Sequence, residues 1–190
     1  MGVLYLIRHG RTEANEKWLY CGSTDLMLSD SGAEELRKIQ YKVPENCIYM
    51  TSGMKRTEQT LKILFGDVPY KVDRRFREVD FGIFEMRSYE QLKTEPEYQT
   101  WISGDNEKNV PPGGESGAQM RERVLEGLQD LLKEEKDVVL ISHGGVIASV
   151  MEHLFPEEEK NRYQWQPRPG HGYVISNGEY QEIETNENII

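Results

Sequence analysis

The sequence predicts an α/β fold: a three-layer sandwich with a mostly parallel central sheet, helices on both faces and a lid-like insertion. Three observations carry this. The runs Val3 to Ile7 (VLYLI) and Asp137 to Ser142 (DVVLIS) are short and almost uninterruptedly apolar, the composition of strands buried on both faces. Between and around them, strand-like and helix-like segments alternate, the order that covers a parallel sheet with helices. Residues 75 to 115 break that alternation with Pro96, Pro111, Pro112, Gly104, Gly113, Gly114 and scattered aromatics, as an irregular, partly helical insertion over a site would.

Each element has its own reason. Val3 to Ile7 is the first strand. Ser29 or Ser31 caps a helix continuing through Ala33 to Ile39, with Glu34 and Glu35 in its first turn. Cys47 to Thr51 is a second strand. Lys55 to Phe65 has helical spacing, with Leu61, Leu64 and Phe65 on one side, and Gly66 ends it. Tyr70 to Val72 is a weak third strand. Ser116 to Glu135 is the clearest helix, because Met120, Val124, Leu125, Leu128, Leu131 and Leu132 recur at its period. Asp137 to Ser142 is a strand and Gly144 to Leu154 a helix. Tyr173 to Ser176 and Tyr180 to Ile183 flank Asn177-Gly178, a hairpin signal. The polar last residues are expected to fray. One domain over residues 1 to 190, with the insertion at about 75–115, accounts for the length.

Composition excludes several classes. A net charge of −10 with no basic stripe disfavours nucleic acid and anionic membranes as partners. No apolar run is long enough to span a bilayer. The N-terminus lacks a basic region and a cleavage site and is interrupted by Arg8, so it does not read as a signal peptide. A cytoplasmic location follows as the expectation. Two cysteines, Cys21 and Cys47, with no CxxC pair, read as reduced thiols, Cys47 in the core.

The chemistry lies at the strand ends. The first apolar run ends in Arg8-His9-Gly10 and the later one in Ser142-His143-Gly144-Gly145. In a parallel sheet both histidines reach the same edge, where ligands bind. Gly144 and Gly145 open a helix, whose free N–H groups favour an anion. An acidic chain that binds phosphate needs such a local patch of arginine and histidine.

Further stretches complete a recognisable pattern. Tyr5 to Asn15 (YLIRHGRTEAN), Thr51 to Thr60 (TSGMKRTEQT), Phe76 to Glu85 (FREVDFGIFE), Pro112 to Ser116 (PGGES) and Ser142 to Gly145 (SHGG) stand in the order in which similar motifs occur in the histidine phosphatase superfamily. The chain resembles that superfamily, which includes cofactor-dependent phosphoglycerate mutases, from about residue 3 to 150. The resemblance implies that His9 takes the phosphoryl group as nucleophile, with Arg8, Arg56 and His143 lowering its pKa by charge repulsion. It implies that Arg8 and Arg56 fork onto the phosphoryl oxygens, that His143 donates to another, and that Glu78 is the acid and base. Thr12, through nearby backbone amides, Asn15 and Gly144 complete the phosphate pocket. No metal or other cofactor is implied.

Asp80 is the rival acid. His153 reads as a surface or capping group and His171 as a loop residue that could line the pocket. Trp18, Tyr20, Trp101 and Trp165 read as core or lid packing. Met86 departs from the pattern, standing where many relatives have glycine. The short chain favours a phosphatase of small phosphorylated metabolites. A phosphoglycerate mutase, an α-ribazole phosphatase and a non-catalytic phospho-ligand binder are the alternatives, and a homodimer is the possible assembly.

Overall fold

In the computed structural model, which describes residues 2–43, 46–105, 107–183 and 186–187, chain order runs β1 (Leu4–Arg8), α1 (Glu13–Glu16), α2 (Asp30–Arg37), β2 (Ile39–Gln40), β3 (Ile48–Thr51) and α3 (Lys55–Phe65). It continues with β4 (Tyr70–Val72), α4 (Tyr89–Leu92), α5 (Pro96–Ile102), α6 (Gly117–Leu131), β5 (Val138–Ser142), α7 (Gly144–Leu154), β6 (Gly172–Ser176), β7 (Glu179–Glu182) and β8 (Asn186–Glu187).

The six-stranded sheet has the order β4-β3-β5-β1-β6-β7. β4, β3, β5 and β1 are mutually parallel, and β6 and β7 add an antiparallel edge. This is the mostly parallel α/β sandwich that the apolar runs predict. Side chains alternate across it. Leu4, Leu6, Val138 and Leu140 face α6 and α7 in one core. Ile7, Val139 and Ile141 face Leu61 of α3 in the other. With both faces covered, the central strands read as continuous apolar runs.

The register places the site. β1 and β5 pair with Arg8 opposite Ser142, so His9 and His143, one residue further on each strand, leave the same carboxyl edge side by side. The His9 N–H still bonds the Ser142 carbonyl at 2.9 Å, which ties the two strand ends together.

The structure moves some boundaries. Ser29, rather than Ser31, caps α2, accepting the Gly32 N–H at 3.1 Å. Ile39 is not helical: the chain closes α2 at Lys38 and Ile39 pairs with Glu187 in a second, two-stranded sheet. That pairing brings 186–187 into register, while 184–185 and 188–190 of the tail expected to fray lie outside the described residues. α6 ends at Leu131, short of Glu135. The Lys133 and Glu134 amides turn back onto Asp130 and Leu131, which returns the chain to β5. Cys47 is only partly buried, against the α3-side core. Asn177 and Gly178 take φ of 53° and 78°, the pair of positive values that a tight two-residue hairpin between β6 and β7 uses.

The insertion has a core of its own. Phe84, Leu92 and Tyr98 are buried together, with Tyr20, Phe81, Trp101 and Ile102 packed around them. No helix among the described residues is long and apolar enough to cross a membrane.

Candidate active site

His9 lies at the head of β1, 5 % exposed. Its Nδ1 is 2.7 Å from the Gly10 carbonyl oxygen. A carbonyl only accepts, so Nδ1 carries the proton and Nε2 keeps its lone pair. Burial first, then the Arg56 and Arg8 guanidiniums, push His9 well below the ordinary imidazole value, against the smaller opposing effect of the Gly10 carbonyl. The family resemblance implies charge repulsion from Arg8, Arg56 and His143. In the structure desolvation outweighs charge, and His143 is not among the causes.

His143 packs edge-on to His9, ring centroids 5.1 Å apart, and is 1 % exposed. The Arg56 Nε donates to its Nδ1 at 3.3 Å. Nε2 therefore holds the proton and donates to the Ser52 hydroxyl at 2.8 Å, which continues through Thr57 to the Met54 carbonyl. Burial first, and then the neighbouring cations, keep this ring neutral as well. His143 was expected to donate to a phosphoryl oxygen. Both of its nitrogens are engaged within the protein, so it would have to release Ser52 to do so.

Arg56 is as buried as His143. Its Nη1 and Nη2 donate to the carbonyls of Thr24 at 2.8 Å and Gly22 at 2.7 Å. Arg8 donates through Nη1 to the Pro167 carbonyl at 2.9 Å. Its Nε is a buried donor with no acceptor in the protein. Such a group carries a desolvation penalty until an acceptor arrives.

Glu78 faces the same space from the loop after the 3-10 turn Arg74–Phe76. The Ser142 hydroxyl donates to the Phe76 carbonyl at 2.8 Å and fastens that loop under β5. Glu78 Oε2 accepts the Gly145 N–H at 2.9 Å, at the start of α7. One of the free amides expected to hold an anion thus holds this carboxylate. Gly144 remains beside Arg8: a Cβ there would come within 3.1 Å of Arg8 Cζ. Asp80 points elsewhere, accepting from Ser23 Oγ and the Gly82 N–H, and only Glu78 of the two lines the pocket that also holds Arg8.

Thr12 and Asn15 are brought together, but mainly with each other. Thr12 caps α1, and its N–H and hydroxyl both donate to Asn15 Oδ1 at 3.0 Å. The Thr12 amide is therefore committed, a correction to its expected part in the phosphate pocket. Asn15 does line the pocket, with its amide nitrogen as the group left for a ligand.

Two positioning residues escaped the sequence reading. Glu85 accepts the N–H groups of Gly22, Ser23, Thr24 and Phe81 and the Thr24 hydroxyl. It thereby shapes the loop whose carbonyls hold Arg56. Arg123 of α6 donates to the carbonyls of Arg75, Arg77 and Glu78 and pairs with Glu115, which holds the Glu78 segment from behind. Glu85 stands inside a quoted motif and Arg123 in the clearest helix. Nothing local marks the distant loops that they bind.

The pocket beyond Arg8 and Glu78 encloses about 460 Å³ and is walled by Tyr20, Phe81, Tyr98 and Trp101. His171 is a loop residue that lines other clefts, and His153 is exposed in the last turn of α7. Trp165 is core, whereas Trp18, expected in core or lid packing, is 87 % exposed. Among the described residues, no group of three or more His, Cys, Asp or Glu is arranged to hold a metal ion.

A family model described as the histidine phosphatase superfamily, branch 1, matches residues 4–185. The chain belongs to this superfamily. Within it, a probable phosphoglycerate mutase of Yersinia enterocolitica is 30 % identical over 90 % of each chain. An adenosylcobalamin/alpha-ribazole phosphatase of Salmonella typhimurium is 29 % identical over 80 % of this chain and 78 % of its own. Among solved structures, an Escherichia coli protein provisionally assigned as an alpha-ribazole-5'-P phosphatase superposes with a TM-score of 0.82 at 23 % identity, covering 98 % of this chain and 97 % of its own. A phosphoglycerate mutase of Thermus thermophilus does so with a TM-score of 0.73 at 26 % identity, over 96 % and 97 %. Superfamily members named both as phosphatases and as mutases thus share this fold.

Proposed function

We propose that this protein is a metal-independent phosphatase of small phosphomonoesters that works through a phosphohistidine at His9. The observation that carries the reading is the state of the His9 ring: neutral, with Nδ1–H fixed on Gly10 and Nε2 bare, beside two guanidiniums. A nucleophilic imidazole needs that state.

In the first half-reaction Nε2 forms a bond to phosphorus and the ester P–O bond breaks. The leaving oxygen takes a proton from the carboxylic acid of Glu78. In the second, the Glu78 carboxylate takes a proton from water, whose oxygen bonds phosphorus as the P–N bond breaks. Phosphate leaves and neutral His9 returns. Arg8 and Arg56 balance the charge on the phosphoryl oxygens throughout, the task that a metal performs in other phosphatases. The unmet Nε of Arg8 is the donor most in need of such an oxygen.

The test is hydrolysis of p-nitrophenyl phosphate with chelator present, by the wild type and His9→Ala, together with isolation of an acid-labile, alkali-stable phosphoenzyme. Turnover and labelling in the wild type and neither in His9→Ala support the reading. Equal activity of the two, or loss of activity with chelator, overturns it.

The relative named as a probable phosphoglycerate mutase favours a second reading, in which phospho-His9 returns its phosphate to bound product. Turnover of phosphoglycerate that depends on added bisphosphate would select it.

A further inference from the structure

The walls of the pocket bear on the leaving group. Tyr20, Phe81, Tyr98 and Trp101 interlock: Tyr20 lies 5.1 Å from Phe81 and 5.7 Å from Trp101 between centroids, and Trp101 lies 5.6 Å from Tyr98. The Tyr20 and Tyr98 hydroxyls bond each other at 2.6 Å. One phenol donates to the other, so a single hydroxyl proton is left on a wall that otherwise offers ring surface.

Charge in the pocket points the same way. Away from Arg8, Arg162 is the remaining cation that lines it among the described residues. Its Nη1 pairs with Glu107 at 2.9 Å and its Nη2 with the Ser149 hydroxyl at 2.8 Å. Glu107 and Glu115 line the same space. A carboxylate or second phosphate on the leaving group would find no unpaired cation there, since Arg162 is held by Glu107 while Glu115 is held by Arg123, and would lose its water in a partly desolvated cleft.

We propose that the physiological substrate is a phosphomonoester whose leaving group carries an uncharged aromatic ring and no second anionic group. The inference rests on the phosphatase reading for turnover, but ligand affinity tests it independently. Phosphate sits at Arg8 and His9, and the ring lies along Tyr20, Phe81 and Trp101, where offset or edge-on contact with the wall adds to simple burial. Glu107 acts as a specificity residue by occupying Arg162.

The experiment is calorimetric titration of the wild type with benzylphosphonate, cyclohexylmethylphosphonate and 2-carboxyethylphosphonate, alongside turnover of benzyl phosphate and 3-phosphoglycerate. Benzylphosphonate should bind about threefold to tenfold more tightly than its saturated analogue, the range an aromatic pair contributes. It should bind at least about tenfold more tightly than the carboxylate ligand, the scale of an unfavourable charge in a half-buried site. Trp101→Leu should remove the aromatic preference, and Glu107→Gln should strengthen binding of 2-carboxyethylphosphonate by freeing Arg162. Equal or reversed affinities, or no measurable binding of any of the three, overturn the proposal. If neither phosphate ester is hydrolysed, the phosphatase reading fails, while the order of phosphonate affinities still decides this one.

Discussion

Arg56 donates through Nε to Nδ1 of His143 at 3.3 Å, while its two Nη atoms are held by the carbonyls of Gly22 and Thr24. One guanidinium thus sets the proton position of one histidine, lowers the pKa of the other and fastens the 22–24 loop. A lysine offers a point charge and cannot keep three directed bonds. Arg56→Lys should lower kcat/KM for p-nitrophenyl phosphate by about 100-fold, the cost of a small misplacement of a charge beside the reacting group. Steady-state kinetics check this, and a loss under threefold would show these three bonds to be dispensable.

Glu85 controls the same arginine from one step away. In Glu85→Gln the side chain keeps its size but turns an NH2 toward the amides of the 22–24 loop or of Phe81. Leaving such donors unmet should cost about 2–3 kcal/mol. For a chain of this size that lowers Tm by roughly 5–10 °C. Calorimetry measures the shift, and kcat taken well below both transitions should also fall, since Arg56 loses its seat. An unchanged Tm would mean that the loop holds its shape without the carboxylate.

Gly145 has no room for a side chain. A Cβ there would stand 2.4 Å from Glu78 Oε1, so Gly145→Ala should push the carboxylate off the start of α7. If Glu78 protonates the leaving group, the damage depends on how much help that group needs. Alkyl phosphates should lose about 100-fold in kcat, within the usual contribution of a general acid. p-Nitrophenyl phosphate, with its stable phenolate, should lose far less. Equal losses on both substrates would place the fault elsewhere in the site.

Acid should weaken the fold through the two histidines. Both are held well below the ordinary value of 6.5, by burial first. Between their folded values and 6.5 the unfolded chain binds protons that the folded chain refuses. Stability is therefore full above 6.5 and falls as pH drops below it, by up to about 1.4 kcal/mol per pH unit for each histidine. Urea melts at pH 7.5, 6.5 and 5.5 read the slope. His9→Asn should remove one histidine's share, and an unchanged slope would contradict a neutral, buried His9.

Some of this was legible in the sequence for a physical reason. The central strands are buried on both faces, so VLYLI and VVLI announce themselves, and the histidines follow directly. Glu78 was legible only through its motif, because nothing within the charged run from Arg74 to Asp80 separates it from Asp80. Its distinction is the amide of Gly145, 67 residues away. The tasks of Glu85 and Arg123 were hidden for the same reason: each binds a loop that only the fold brings near. Ile39 was misread because an apolar residue at helical spacing also fits a strand, and its β8 partner lies at the far end of the chain. Met86 was marked as a departure, and the structure shows why. It sits at φ 59°, in the left-handed region where glycine is at ease, with its N–H on the Tyr20 carbonyl at 2.7 Å.

The aromatic cluster of the insertion is separate from the two cores that carry the sheet. The core beneath His9 and His143 is therefore not built from the residues that form the aromatic wall of the pocket. Such a protein is two inventions in one chain, a fixed floor of histidines and a separate aromatic plate. On the phosphatase reading proposed above, rewriting residues 81 to 107 while preserving Glu85 should change which ester is taken and leave the phosphoryl chemistry intact.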